Sequence, residues 1–210
     1  MGLGKASISF TVLDAERVPK GTSPRWAVLG RSNVGKSSLL NALTHPHKFF
    51  RTGGKPGVTT GLVAVKVLLG KSELSTLELV DLPGFGYAKH STNTISKWDQ
   101  LIESLREKSV DSGIMWIWLA DPTRLPAEAE AHLIDWLNNS PFTLVFTKSD
   151  QVKPNARAAS EKAWASVIKR ATEGPFWVSA MKGEGFKDLE KSARSFVRLH
   201  AGDAAENASS

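Results

Sequence analysis

A glycine-rich segment that ends in lysine and serine is the first part of the chain whose residue types could do chemistry. Residues 30–37 read Gly-Arg-Ser-Asn-Val-Gly-Lys-Ser, which fits the phosphate-binding pattern G-x-x-x-x-G-K-[ST]. Residues 25–29, Arg-Trp-Ala-Val-Leu, predict a short buried strand before this loop, and residues 37–43 predict a helix after it. In this order, backbone N–H groups at a helix N-terminus can cradle phosphate oxygens. The segment therefore predicts a nucleotide-binding P-loop.

Each residue of this loop has a role that its chemistry predicts. Gly30 and Gly35 let the backbone turn with its N–H groups pointing inward, and Lys36 places a positive charge against the β- and γ-phosphates. The Ser37 hydroxyl is expected to ligate Mg²⁺, an ion that prefers oxygen ligands. The predicted nucleotide contacts here are Gly30, Arg31, Ser32, Asn33, Val34, Gly35, Lys36, Ser37 and Ser38. The competing interpretation is a glycine-rich turn that ends in Lys-Ser by chance, and the motifs downstream disfavour it.

A second motif, Asp-Leu-Pro-Gly at residues 81–84, closes a largely apolar run at 74–80. Nucleotide triphosphatases carry their second metal-side carboxylate at such a position. We predict that Asp81 holds Mg²⁺ through water and that the Gly84 N–H meets the γ-phosphate. An isolated Asp-x-x-Gly is common in loops, so the prediction depends on its order and spacing after the P-loop.

A third motif, Thr-Lys-Ser-Asp at residues 147–150, predicts which base is bound. A fixed carboxylate at Asp150 can accept hydrogen bonds from N1–H and the exocyclic amine of guanine, whereas adenine offers neither donor there. A site built for one hydrogen-bonding pattern rejects the wrong base by about 10⁴-fold or more, so ATP should bind poorly. Thr147 and Lys148 belong to the same site, with the aliphatic stem of Lys148 along the base plane. By itself the tetrad would also suit a helix N-cap.

The segment after the last predicted strand completes the expected base site. Here a backbone N–H would face the O6 atom of guanine. The residues assigned to this contact are Ser179, Ala180 and Met181. The sequence therefore predicts a guanine nucleotide as the ligand.

The composition is that of an ordinary globular chain with an uneven charge distribution. Of 210 residues, 41% are hydrophobic and 23% are charged, which suits one domain with a sizeable core. The absence of cysteine excludes disulfides and cysteine-based metal sites. Residues 1–60 carry a net charge of +7 and residues 151–200 carry +5, while residues 61–150 carry −4. The basic segments could attract a polyanion such as nucleic acid, although Lys and Arg that merely solvate helices give the same composition.

Alternating strand and helix patterns predict the fold class. We expect a three-layer α/β/α P-loop G domain whose sheet is mostly parallel, with one antiparallel strand at 62–69 paired to 76–80. The ligand should lie outside the carboxyl ends of the strands, where the motifs fall. The predicted strands are residues 8–12, 26–29, 62–69, 76–80, 114–119, 142–146 and 176–178, and the predicted helices are residues 37–43, 94–108, 127–138, 155–171 and 187–199.

The chain is expected to divide into three parts. These are an N-terminal extension with a short strand at 1–22, a G domain at 23–200, and a polar tail at 201–210 that should be disordered. The longest apolar run, residues 114–120, is too short to cross a membrane, so we expect a soluble chain with no membrane partner.

Two further features concern loops and aromatic residues. Segments rich in glycine and polar residues at 51–60 and 84–94 are predicted to be mobile loops that the γ-phosphate orders and hydrolysis releases.

Large aromatic side chains usually bury area in a core. We therefore expect core positions, rather than a surface for stacking bases, for Trp26, Trp98, Trp116, Trp118, Trp136, Trp164 and Trp177.

Taken in order, these motifs resemble those of the EngB/YihA family, within the TrmE-Era-EngA-YihA-Septin-like GTPases. The most specific segments are Gly-Phe-Gly-Tyr-Ala-Lys after Asp-Leu-Pro at 81–89 and Asp-x-x-Arg-x-Pro at 121–126. The other shared segments are residues 30–38, 55–59, 147–150 and 179–180, together with Trp98. The resemblance covers about residues 5–200.

The resemblance implies a function beyond nucleotide binding. A member of this family would be a slow GTPase that acts as a switch in assembly of the large ribosomal subunit, with an involvement in septation during cell division. Its cofactors would be GTP or GDP and Mg²⁺, and its partners the RNA and proteins of the large subunit or its precursor. The protein would be a monomer in the bacterial cytoplasm or an organelle matrix.

The resemblance also assigns residues in the two loops. It places Gly57 and Thr59 at the nucleotide, with Thr59 reaching Mg²⁺ and the γ-phosphate, although the adjacent Thr60 is an alternative. Phe85 stands where signalling GTPases carry a glutamine that orients water, so intrinsic hydrolysis should be slow. Asn33 is at a position that ligates potassium in related GTPases, and hydrogen bonding within the loop is its alternative role. The catalytic candidates are Lys36, Thr59, Gly84 and Asn33.

Two other functions would use some of the same sequence motifs. A GTP/GDP sensor would share every nucleotide motif but hydrolyse too slowly for turnover to matter. A small-molecule or nucleotide kinase would need an acceptor pocket and a lid with catalytic arginines, and the guanine motif argues against it.

Overall fold

A seven-stranded sheet organises the part of the chain that the structure describes. The computed structural model describes residues 2–51, 61–70, 75–84, 92–137 and 140–207. Spatially the strands run in the order β1-β3-β4-β2-β5-β6-β7. Their bounds are β1 (Lys5–Val12), β2 (Arg25–Gly30), β3 (Leu62–Leu68), β4 (Thr76–Asp81), β5 (Ile114–Ala120), β6 (Phe142–Phe146) and β7 (Glu173–Trp177).

One strand runs against the others. β3 pairs antiparallel with both β1 and β4, whereas β4, β2, β5, β6 and β7 pair in parallel. This confirms the predicted fold class of a mostly parallel sheet with one antiparallel strand. β1, from the segment expected to be an extension, forms the edge of this same sheet.

Helices cover both faces of the sheet. They are α1 (Lys36–Leu43), α2 (Thr92–Glu107), α3 (Glu128–Leu137), α4 (Arg157–Ala163), α5 (Ala165–Ile168) and α6 (Phe186–Asn207). On one face, α1 and α6 bury apolar side chains such as Leu40 and Leu189. On the other face, α2, α3 and α5 bury side chains such as Ile102 and Val167. The central strand β2 is buried along its whole length, which explains why apolar residues follow one another from Trp26 to Leu29.

The tryptophans are mainly core residues, as predicted. Trp26, Trp116, Trp118 and Trp164 are each at most 2% exposed. Trp136 and Trp177 are partly buried and pack against the same core. The side chain of Trp98 lies outside the described part of the chain.

Several element boundaries differ from prediction. The helix expected at 155–171 is interrupted at Trp164, because this residue is buried against Phe146 and its indole N–H donates to the Arg124 carbonyl. β7 begins at Glu173 rather than at 176, since an edge strand with an irregular register tolerates Pro175. These are cases in which tertiary packing overrides local propensity.

The C-terminal helix is longer than the sequence pattern predicted. α6 was expected to end at 199, with a disordered tail from 201, yet it is helical through Asn207. Alanines at 201, 204 and 205 explain the continuation, because alanine has the highest helix propensity. None of the helices in the described ranges is long and apolar enough to cross a membrane.

A buried ion pair lies at the end of the sheet where β2 begins, opposite the carboxyl ends of the strands that carry the sequence motifs. Arg25 Nε lies 2.6 Å from Glu78 Oε2, and both side chains are at most 4% exposed. Ser109 Oγ accepts from the same guanidinium at 2.9 Å, and the Pro19 carbonyl accepts at 3.0 Å. Ser9 donates to the other oxygen of Glu78. Each charge is therefore compensated, which buried ions require.

Candidate functional site

The predicted P-loop connects β2 to α1 at the carboxyl end of the sheet. Gly35 precedes α1 with a φ of 113°, and Asn33 has a φ of 62°. Gly30 faces the neighbouring strand so closely that an added Cβ would lie 2.7 Å from the Leu119 carbonyl oxygen. Glycine is needed at both glycine positions, since a side chain would be strained at 35 and would clash at 30. The loop thus has the conformation that a phosphate cradle needs.

Lys36 is folded back onto the loop. Its ammonium donates to the Gly30 and Arg31 carbonyls, each at 3.2 Å, and the residue is only 8% exposed. Burial lowers the pKa of Lys36, while the nearby carboxylate of Asp81 opposes that shift. A buried cation of this kind is placed to face an anionic ligand.

Asp81 ends β4 directly beside the first residues of α1. The Ser37 hydroxyl donates to Asp81 Oδ2 at 2.8 Å, and Asp81 is 2% exposed. Its other oxygen, Oδ1, is buried and has no hydrogen-bond partner among the described residues. Burial raises the pKa of Asp81 to about 6, although the charge of Lys36 and the Ser37 hydrogen bond counteract this.

These oxygens fit a hard divalent cation. A buried carboxylate oxygen without a partner, next to a serine hydroxyl, is the donor set that Mg²⁺ uses at phosphate sites. Since an unpaired buried carboxylate is costly, a cation here would compensate a charge that the described residues compensate only in part. Ser37 and Asp81 are therefore the described residues that could hold the metal.

Gly84 brings the segment after β4 against the P-loop. An added Cβ there would lie 2.9 Å from Lys36 Nζ and also 2.9 Å from the Ser32 backbone nitrogen and Cα. Such distances are shorter than real Cβ contacts, so the two loops could not keep this approach with a larger residue. Gly84 thus lies next to the residue that would meet the terminal phosphate.

The guanine motif is attached to the P-loop by a buried threonine. Thr147 Oγ1 donates to the Val34 carbonyl at 2.6 Å, and the Thr147 N–H donates to the Ala120 carbonyl at 3.0 Å. Thr147 is 4% exposed, so both bonds are shielded from water. The phosphate and base segments are therefore parts of one connected site.

The tetrad is also joined to the segment after β7. Ser179 Oγ donates to Asp150 Oδ1 and accepts from the Lys182 N–H at 3.1 Å. The Ser149 N–H donates to the Val178 carbonyl at 3.1 Å. Ala180 and Met181 are both exposed on the same segment, where the backbone can meet a ligand. The structure thus brings both predicted base-binding segments together.

Sequence motifs alone did not assign two charged contacts at the site. The Lys148 ammonium lies 2.9 Å from Asp121 Oδ2, and Arg31 of the P-loop lies 3.5 Å from the buried Glu130. Burial would raise the pKa of Asp121, but hydrogen bonds from Thr123 and Lys148 outweigh it and hold this pKa below its usual value. The position of Asp121 directly after β5 is the signal that could have identified this contact. Because β5 and β6 are neighbouring parallel strands, the residues after both strands lie at the same edge of the sheet.

Several predicted site residues lie outside the described part of the chain. They are Gly57, Thr59, Thr60 and Phe85, together with most of the two predicted loops at 51–60 and 84–94. The metal and catalytic roles assigned to Thr59 therefore stay predictions. Ser32, Asn33 and Ser38 are described and lie on the P-loop and the first turn of α1.

The connected phosphate and base segments define a class of protein, a GTP-binding G domain. A family model described as 50S ribosome-binding GTPase matches residues 25–148. The chain is 35% identical over 208 residues to the probable GTP-binding protein EngB of Nitratidesulfovibrio vulgaris (strain DP4), covering 97% of this chain and 92% of that protein. It is 36% identical over 178 residues to the probable GTP-binding protein EngB of Desulfatibacillum aliphaticivorans, covering 83% of this chain and 82% of that protein. The chain belongs to the EngB family of GTPases, which confirms the resemblance.

Solved structures agree on the fold. A crystal structure of Era in complex with MgGDPNP and nucleotides 1506–1542 of 16S ribosomal RNA matches with a TM-score of 0.64 at 22% identity, covering 84% of this chain and 57% of that chain. A crystal structure of a probable GTP-binding protein engB matches with a TM-score of 0.56 at 21% identity, covering 83% of this chain and 99% of that chain. At these identities the likeness shows the fold alone.

Proposed function

We propose that this GTPase is a slow, GTP-driven switch in assembly of the large ribosomal subunit. The observation that carries the proposal is the contact between Ser37 and Asp81, which lies at the carboxyl end of β4 directly before the loop predicted at 84–94. A nucleotide bound there would contact that loop through its terminal phosphate. The state of the nucleotide could thereby change the surface that a partner meets.

Different described residues would bind the phosphates and the metal ion. Lys36, whose ammonium lies at the Gly30 carbonyl, and the P-loop N–H groups would bind the phosphates. Ser37 and Asp81, which contact each other, would hold Mg²⁺. When bound, Mg²⁺ would supply positive charge against the β- and γ-phosphates. Gly84 allows the approach of its own N–H to the terminal phosphate because no side chain intervenes.

Hydrolysis is proposed to be slow because a phenylalanine comes directly after Gly84. Phe85 cannot orient a water molecule by hydrogen bonding, as a glutamine at this position would. Thr59, or the adjacent Thr60, would contact Mg²⁺ and the terminal phosphate. We also propose that Asn33 would ligate potassium, which would supply positive charge near the phosphates as the bond between the γ-phosphorus and GDP breaks. Identical turnover in potassium and sodium at equal ionic strength would end the potassium proposal.

The ribosomal partner is supported by the family and by charge. The matching family model is described as 50S ribosome-binding GTPase. Net charges of +7 over residues 1–60 and +5 over residues 151–200 would attract ribosomal RNA. The protein would act as a monomer in the bacterial cytoplasm or an organelle matrix, where ribosomes assemble. A septation defect would follow indirectly, since division needs protein synthesis.

The second candidate is a GTP/GDP sensor whose hydrolysis is negligible. Single-turnover GTP hydrolysis, measured with and without large ribosomal subunits, separates the two. We expect the subunits to accelerate hydrolysis, with no acceleration for Lys36→Ala. A rate that the subunits leave unchanged and that is too slow for turnover would favour the sensor.

A further inference from the structure

We propose that Asp121 is a positioning residue for guanine recognition, which acts by fixing the side chain of Lys148. Lys148 lies in the middle of the base-binding tetrad, and its ammonium lies 2.9 Å from Asp121 Oδ2. This proposal concerns the base site of the GTPase and does not depend on a ribosomal partner.

The Asp121 carboxylate is itself held in place. Its second oxygen, Oδ1, accepts from the Thr123 N–H at 3.1 Å and from the Thr123 hydroxyl. Its first oxygen accepts from Lys148, so both oxygens are engaged. Arg124 Nε is more distant, at 3.9 Å, and its side chain is 69% exposed. The carboxylate has one well-defined orientation, with Lys148 as its close cationic neighbour.

The loop that carries Asp121 is anchored to the neighbouring helices. Ser160 of α4 donates to the Pro122 carbonyl at 2.9 Å, and the Trp164 indole donates to the Arg124 carbonyl at 2.9 Å. Pro122 and Trp164 are both buried. Because this loop is held by hydrogen bonds, the Asp121 carboxylate keeps its position when the Lys148 side chain moves.

The backbone of Lys148 has an unusual conformation, and the contact with Asp121 holds the end of its side chain. Its φ of 54° lies in the left-handed region, which is uncommon for a residue with a side chain. Such a conformation persists where surrounding contacts determine it, and it is frequent at ligand sites. With its ammonium held, the methylene stem can no longer sample its many rotamers. The stem can therefore lie against one face of the base. Asp150 would accept hydrogen bonds from the edge of the same base.

This geometry predicts a distinct signature. Asp121 acts on the base plane through Lys148, so its loss should weaken every guanine-like base equally. Asp150 acts on the base edge, so its loss should change the ratio between bases. Inosine diphosphate is the appropriate probe, because it has the N1–H of guanine but lacks the exocyclic amine.

The test measures the affinities of the full-length protein for GDP and inosine diphosphate by calorimetry. We expect Asp121→Ala to weaken both by about 10-fold, the size of the rotamer freedom that the Lys148 side chain would regain and lose again on binding, and to leave their ratio unchanged. The matched control is Asp111→Asn, which breaks the exposed pair with Lys20 at 2.8 Å and should leave both affinities unchanged. Asp121→Asn keeps the shape of the side chain and provides a second variant if the alanine variant folds poorly.

A double-mutant cycle with Lys148→Ala separates positioning from a structural role. If Asp121 acts through Lys148, the double variant should bind GDP no more weakly than Lys148→Ala alone. A merely structural Asp121 would lower the unfolding midpoint of the nucleotide-free protein and add its effect to that of Lys148. Additive losses, or unchanged GDP affinity in Asp121→Asn, would overturn the proposal.

Discussion

Replacing Asp150 by asparagine is expected to change base preference, and the contacts around it determine in which direction. Ser179 accepts from the Lys182 N–H and donates its own proton to Asp150 Oδ1. An asparagine introduced here must therefore turn its oxygen toward Ser179. Its amide NH₂ group then faces the ligand, where Asp150 Oδ2 had been an acceptor.

The size of the effect follows from that exchange. Guanine presents two donors, so one of them would meet the new NH₂ group and lose a hydrogen bond to a charged oxygen. The loss should be about 3 kcal/mol, which lowers GDP affinity about 100-fold. Xanthine has an oxygen in place of the guanine amine and could accept from the NH₂ group. Its affinity should therefore rise as that of GDP falls.

Titration calorimetry with GDP and xanthosine diphosphate measures both affinities directly. The control is Asp111→Asn, the same chemical change in an exposed ion pair away from the base site. Unchanged GDP affinity in Asp150→Asn would show that Asp150 does not accept hydrogen bonds from guanine. Equal weakening of both nucleotides would show that the orientation of the new amide has no effect on base preference.

Three further outcomes follow from the described contacts. Glu78→Ala leaves Arg25 buried without its counter-charge, so it should lower the free energy of unfolding in urea by about 3–5 kcal/mol; a change below about 1 kcal/mol would contradict this. Gly84→Ala should weaken a GTP analogue more than GDP in competition binding, since the added carbon would lie 2.9 Å from Lys36 Nζ; equal weakening would be inconsistent with a role at the terminal phosphate. The third concerns Asp81, whose pKa burial raises from 3.8 to about 6, so the folded state binds its proton more tightly than the unfolded state. Stability from this group is present below about pH 4 and is lost as pH rises to about 6, by up to about 3 kcal/mol in nucleotide-free protein; Asp81→Asn should lack this slope in thermal unfolding.

The fold was predictable because its signals are local. Glycine positions, the apolar run of β2 and the turn between β3 and β4 each specify one element, and the short connections leave few topologies. The break at Trp164 was not predictable, because its cause is a hydrogen bond to Arg124, forty residues earlier in the chain. The extension of α6 was missed because a polar composition was interpreted as disorder although its alanines favour helix.

The candidate site was predictable to the extent that its residues lie in continuous motifs. The P-loop and the tetrad are each recognisable by their spacing, so the segments could be named before their contacts were known. The Thr147 bond to Val34 and the Ser179 bond to Asp150 were not predictable, since each joins segments distant in the chain. Asp121 was named only as part of a family pattern, because its role depends on which strands are neighbours.

Sedimentation with ribosomal subunits tests the proposed switch most directly. Purified protein would be centrifuged with large or small subunits at moderate salt, with either GDP or a non-hydrolysable GTP analogue. The control is Lys36→Ala, which should not bind the triphosphate. We expect co-sedimentation with the large subunit in the analogue state, and none with GDP or for Lys36→Ala. Equal binding in both nucleotide states would reduce the interaction to attraction by a basic surface. No binding to the large subunit in either state would exclude the proposed switch.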